Sequence, residues 1–121
     1  MKDILIIIGK TVDDKFYFRI CIEGGPILLT SREYVHIERC MNEIYGIQQY
    51  PDFVLAEEFI KDKGHQYTLI GSWGRMVGVS PFYTYLYEMR DDMIMLKKLI
   101  GKAAVIDNSS MIRYFRPVRI K

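Results

Sequence analysis

Phe16-Tyr17-Phe18-Arg19-Ile20-Cys21-Ile22, then Glu23-Gly24-Gly25-Pro26, then Ile27-Leu28-Leu29-Thr30-Ser31 with Tyr34 just beyond, is the segment on which the fold turns. Aromatic and β-branched residues pack well on a pleated surface, while glycine and proline supply turn geometry, so the segment predicts a β-hairpin. From Val35 the period changes. Ile37, Cys40, Ile44 and Ile47 recur at spacings of three and four, which puts them on one face of a helix. Glu38, Arg39, Asn42, Glu43 and Gln49 take its other faces, and Pro51, without an amide hydrogen, marks where the helix has ended. Upstream, Ile4 to Ile8 reads as a strand closed by a turn at Thr11-Val12-Asp13-Asp14.

Downstream the pattern starts again. Phe53 to Ile60 is strand-like, Lys61-Asp62-Lys63-Gly64 is a turn, and Gln66 to Ile70 and Met76 to Val79 flank a turn at Gly71-Ser72-Trp73-Gly74. Leu86, Met89, Met93, Leu96 and Ile100 then form a helical stripe, with Gly101 placed as its C-terminal cap. A shift of 49 residues lays Tyr17 to Tyr34 over Gln66 to Tyr83 without a gap. Gly25, Ser31 and Tyr34 fall on Gly74, Ser80 and Tyr83, and the helical stripe Ile37, Cys40, Ile44, Ile47 falls on Leu86, Met89, Met93, Leu96. The expectation is an α+β fold in one domain, residues 1–121: two tandem strand-strand(-strand)-helix-strand repeats, about 4–60 and 53–108, in one mainly antiparallel sheet with two helices packed on it. Residues 111–121 follow as a basic C-terminal strand or tail.

On these residues the chain resembles the YegP-like family of uncharacterised small proteins, whose unit runs as aromatic strand, Asn-Gly turn, apolar strand ending in Ser, a Tyr, then a helix. Phe16 to Ile20, Gly25, Ile27 to Ser31 and Tyr34 follow that pattern closely; Tyr67, Leu69, Gly74, Met76-Val77, Ser80, Tyr83, Met93 and Leu96 follow it more loosely. The resemblance covers most of residues 4–108. It implies that the units complete each other by exchanging their C-terminal strands, with 53–60 shared or exchanged, so that a two-unit chain is a pseudo-dimer and a monomer. It implies no activity. The chain departs from the pattern at the Asn before the turn glycine, which is Gly24 in one unit and Trp73 in the other, and at the helix glycine, which is Glu43 and Asp92.

Half of the 121 residues are hydrophobic, enough for a core without metal or disulfide staples. The longest N-terminal apolar run, Ile4 to Ile8, is far short of the roughly 20 residues that span a bilayer, and Asp3 spoils a signal peptide, so no membrane association and a cytoplasmic location are expected. Cys21 and Cys40 are then reduced and read as core, with no partner at zinc spacing.

Reactive constellations are weak. Gly71-Ser72-Trp73-Gly74 has the spacing of a phosphate-clamping G-x-x-G loop, but it joins strands rather than helices. Asp13-Asp14, Glu57-Glu58 and Asp91-Asp92 read as solvated surface, His36 and His65 as surface residues, and Ser31 and Ser80 as structural strand ends. Met89 and Met93 belong to the buried stripe, while Met95 and Tyr87 fall off it and leave room for an exposed patch. No catalytic, cofactor or metal residues are assigned, and the reading leans away from an enzyme. The candidate interaction residues are Trp73, at a turn tip, and Arg113, Tyr114, Arg116 and Arg119 of the basic aromatic tail. The leading expectation is a non-catalytic module that binds a protein partner; the alternative is weak nucleic-acid binding through the tail.

Overall fold

Alternating burial decides how the strands sit. In the computed structural model, which describes residues 3–110, strand β1 (Ile4–Lys10) turns Ile4, Ile6 and Ile8 into the core and leaves Leu5 and Ile7 half-buried on the other face. The remaining elements are β2 (Phe16–Ile22), β3 (Ile27–Ser31), α1 (Ile37–Gln49), β4 (Val54–Ile60), β5 (Gly64–Ile70), β6 (Met76–Val79), α2 (Leu86–Leu99) and β7 (Ala104–Asp107). Among the described residues, seven strands make one mixed sheet in the order β4-β5-β6-β3-β2-β1-β7. All neighbours are antiparallel except β1 and β7, which run parallel with Leu5 opposite Ala104.

One row of paired residues crosses the whole sheet: Ala56, Thr68, Val79, Thr30, Arg19, Ile7 and Ile106. None of them is buried, whereas Leu69, Leu29, Ile20 and Ile6, one position along, are fully buried. Since adjacent strand residues point to opposite faces, both helices cover one face and the other is open. Cys40, Ile44 and Ile47 of α1 and Met89 and Leu96 of α2 join those strand residues in a single core cluster.

At the centre β3 meets β6 through Thr30 opposite Val79 and Ser31 opposite Gly78. Each flanking hairpin is irregular at one place, Ile20/Cys21 and Leu69/Ile70, again 49 residues apart. Serine satisfies the backbone beside this seam. Ser31 Oγ accepts the Phe18 N–H at 2.8 Å and donates to the Arg32 carbonyl at 2.7 Å. Ser80 Oγ accepts the Tyr67 N–H at 2.9 Å and donates to the Pro81 carbonyl at 2.7 Å. Ser31→Ala and Ser80→Ala each strand a buried amide, and each is expected to lower unfolding free energy by about 1–3 kcal/mol in denaturant titrations. An unchanged midpoint for both would remove this role from the serines.

Several boundaries differ from the sequence reading. The first helix starts at Ile37 rather than Val35, which is exposed. β5 starts at Gly64, because a φ of 115° lets that residue turn the chain and still pair with Ile60. Gly101 is not the cap of α2: the helix ends at Leu99 and passes into a 3-10 turn, Ile100–Lys102, with Gly101 inside it. The Gln48 side-chain amide donates to the carbonyls of Ile100 and Ala103, both at 2.9 Å, so a side chain of α1 satisfies that end instead. Cys40 is core, but Cys21 points toward the open face and is only half-buried. Met93 is likewise half-buried, and Met95, expected off the stripe, packs partly against the core. Among the described residues no helix is long and apolar enough to cross a membrane.

Candidate functional site

Trp73 is 97% exposed. It also holds a φ of 66°, a conformation that bulky L-residues avoid, at the place where the first hairpin uses Gly24 with a φ of 70°. Such a backbone costs about 1–2 kcal/mol, which an indole fully in water does not recover through packing. The strain is fixed by its surroundings: Gly71 N–H bonds to the Arg75 carbonyl at 2.8 Å, closing the Ser72–Gly74 turn around Trp73.

The chain on either side of Trp73 lines a cavity of about 400 Å³ between this turn and α1. Arg32, Arg39, Asn42, Glu43, Ser72 and Arg75 supply its polar groups, and Tyr50, Asp52 and Phe53 close the far side. Glu43 is the hub, with a side chain only 8% exposed. Its Oε1 accepts the Tyr34 hydroxyl at 3.1 Å and faces Arg32 at 3.7 Å, and its Oε2 accepts Arg75 Nη2 at 2.9 Å. Arg32 in turn lies over the Tyr34 ring, 4.5 Å from its centroid. Burial, and then the Glu43 carboxylate, raise the Tyr34 phenol above its ordinary value. It therefore stays a protonated hydrogen-bond donor to Glu43 at neutral pH. Lys97 of α2 steadies the far wall: its ammonium sits over the Phe53 ring and donates to the Phe53 and Pro51 carbonyls.

A second cavity, of about 430 Å³, occupies the corresponding place by α2. There Tyr83 donates to Asp92 at 2.8 Å, as Tyr34 does to Glu43. The positions that correspond to Arg32, Arg39 and Arg75 are Pro81, Glu88 and Pro26. One cavity is lined by three guanidiniums, the other by Glu88, Asp91 and Asp92.

Two solved structures share this architecture. The solution NMR structure of the UPF0339 protein SO3888 from Shewanella oneidensis superposes with a TM-score of 0.80 at 19% identity, over 88% of this chain and 92% of that one. The solution NMR structure of the protein of unknown function yegP from E. coli gives 0.76 at 17% identity, over 90% and 96%. The fold is YegP-like. The likeness at this identity establishes architecture alone, and neither YegP-like structure carries a described activity in its name. No protein-family model matches the sequence, and no curated protein does.

Of the candidates named from sequence, Trp73 is in place at an exposed turn tip, while Arg113, Tyr114, Arg116 and Arg119 lie outside the described residues. Glu57 is exposed, as read, and takes a two-pronged bond from Arg90, 2.9 Å on each arm, and that hydrogen bond holds its carboxyl below the ordinary value. Two surface readings need correction. Asp92 is the Tyr83 acceptor and half-buried. His65 is half-buried too, its ring 4.9 Å from that of Phe59. Sequence reasoning missed Glu43, which it placed on the polar side of the helix. The available signal was that Glu43 and Asp92 both stand where the YegP-like pattern has glycine, 49 residues apart.

Proposed function

We propose that the chain is a non-catalytic protein-interaction module and that its contact surface is centred on Trp73. The observation that carries this reading is a fully exposed tryptophan kept in a left-handed conformation that glycine fills without strain at the matching turn. Folding gains nothing from it there; a rigid aromatic anchor beside arginines is what binding surfaces use. In the same reading the chain is a duplicated unit. The support is the recurrence at a 49-residue interval of the serine-amide bond, the tyrosine-carboxylate bond and the hairpin irregularity. β4, following α1, pairs with the second hairpin, and β7, following α2, pairs with β1, as an exchange of C-terminal strands requires. A monomeric pseudo-dimer working in the reducing cytoplasm completes the proposal, with Cys21 and Cys40 as free thiols.

Trp73→Gly separates binding from folding. Relief of the strained φ is expected to leave the melting temperature unchanged or to raise it, by a gain of about 1 kcal/mol. Affinity capture from a cell extract is expected to return a partner with the wild-type chain and to lose it with the variant. A variant that melts lower, or that retains every captured protein, would contradict the proposal.

A further inference from the structure

We propose that the arginine-lined cavity beside Trp73 receives a carboxylate from an acidic segment of the protein partner, with Arg39 as the guanidinium that pairs with it. This deepens the interaction reading and rests on it.

Charge comes first. Arg32, Arg39 and Arg75 line the cavity together with Glu43 and Asp52, a formal surplus of one positive charge. Glu43 is already engaged by the Tyr34 hydroxyl, Arg32 and Arg75. Its role is to hold two guanidiniums in position, since stacking on Tyr34 and the bond to Glu43 restrict them before any ligand arrives. The Arg39 side chain, by contrast, has no hydrogen bond or ion pair among the described residues. A guanidinium fork matches a carboxylate with two parallel bonds.

The second cavity acts as an internal control. It keeps the tyrosine-carboxylate bond without any arginine, so the arginines of the first are not needed to hold that bond or the fold around it. Glu43 and Asp52 on the walls oppose a phosphate, which carries close to two negative charges, whereas a single carboxylate brings the cluster to neutrality. A volume of about 400 Å³ accommodates a short stretch of side chain. The exposed aromatics Trp73 and Tyr50 at its margins offer contact area for the rest of a peptide.

The test is titration of the full chain with a capped tetraglutamate peptide, followed through backbone amide NMR shifts. Shifts are expected around Arg39, Asn42, Ser72 and Arg75. Arg39→Gln is expected to weaken binding about tenfold or more, while Glu88→Gln, at the matching position of the second cavity, leaves it unchanged. Both side chains are exposed, and unaltered melting temperatures verify that each variant is folded. Absence of shifts, equal affinity for Arg39→Gln, or the same amides responding equally to tetraglutamine or to inorganic phosphate would overturn the assignment. If it is overturned while Trp73→Gly still abolishes partner capture, the interaction reading stands and only the carboxylate falls; if capture is also insensitive to Trp73, both fall.

Discussion

Gly78→Ala is expected to destabilise the fold by about 3 kcal/mol or more, at or beyond the upper end of ordinary overpacking. A Cβ at this position would lie 2.5 Å from the Thr30 carbonyl oxygen, 2.8 Å from Ser31 Cα and 2.8 Å from Leu29 Cδ2. Two of those atoms are backbone of the facing strand, so no rotamer change relieves the overlap and β3 and β6 must move apart. That seam is the junction between the two hairpins, and its ladder consists of the Thr30–Val79 and Ser31–Gly78 pairs. Denaturant unfolding of the variant measures the effect. A loss below about 1 kcal/mol would mean that the strands do not meet at Gly78 as described.

The second large effect is a steep loss of stability in alkali. Tyr34, Tyr67 and Tyr83 all have phenols raised above the ordinary value, by burial first in each case, and the Cys40 thiol is pushed up to about 12 by burial and then by Asp107 and Glu43. These groups keep their protons in the folded chain and release them in the unfolded one. The unfolded state therefore binds fewer protons, and stability falls as pH rises. The decline begins near the unfolded thiol value of about 8.5 and steepens above about 10, where unfolded phenols ionise. Each phenol then removes up to about 1.4 kcal/mol per pH unit, or about 4 kcal/mol for the three by roughly pH 11, a large part of typical domain stability. Denaturant titrations between about pH 8 and 11 should follow this slope. Tyr34→Phe should flatten it, since a phenylalanine has no proton to lose. Equal stability across the range would show that these phenols ionise as freely in the folded chain as in water.

The architecture was legible because its signals are local and repeated. Ile37, Cys40, Ile44 and Ile47 announce a helix by spacing alone, and their counterparts 49 residues on do so again, so α1 and α2 lie where periodicity placed them. The end of α2 was misread because a glycine is a helix cap only when the chain turns left-handed there, and at Gly101 the Gln48 amide makes that unnecessary. The cavity was not legible for a related reason. Glu43 belongs to α1, Arg32 follows β3 and Arg75 lies between β5 and β6, so their convergence is a product of tertiary structure. By helical spacing Glu43 looks solvent-facing; in the fold Tyr34, Arg32 and Arg75 converge on it and its side chain is only 8% exposed. Trp73 was visible as an exposed aromatic at a turn, but its left-handed backbone, which turns exposure into an argument, cannot be read from residue type.

In the proposed reading, structure in this chain is carried by both halves and recognition by one, and a matched pair of substitutions tests that division most directly. Arg39→Gln and Glu88→Gln occupy corresponding helix positions 49 residues apart, both on the surface. With melting temperatures equal to wild type, capture of the partner should be lost for Arg39→Gln and retained for Glu88→Gln; equal retention or equal loss by the two variants would contradict it.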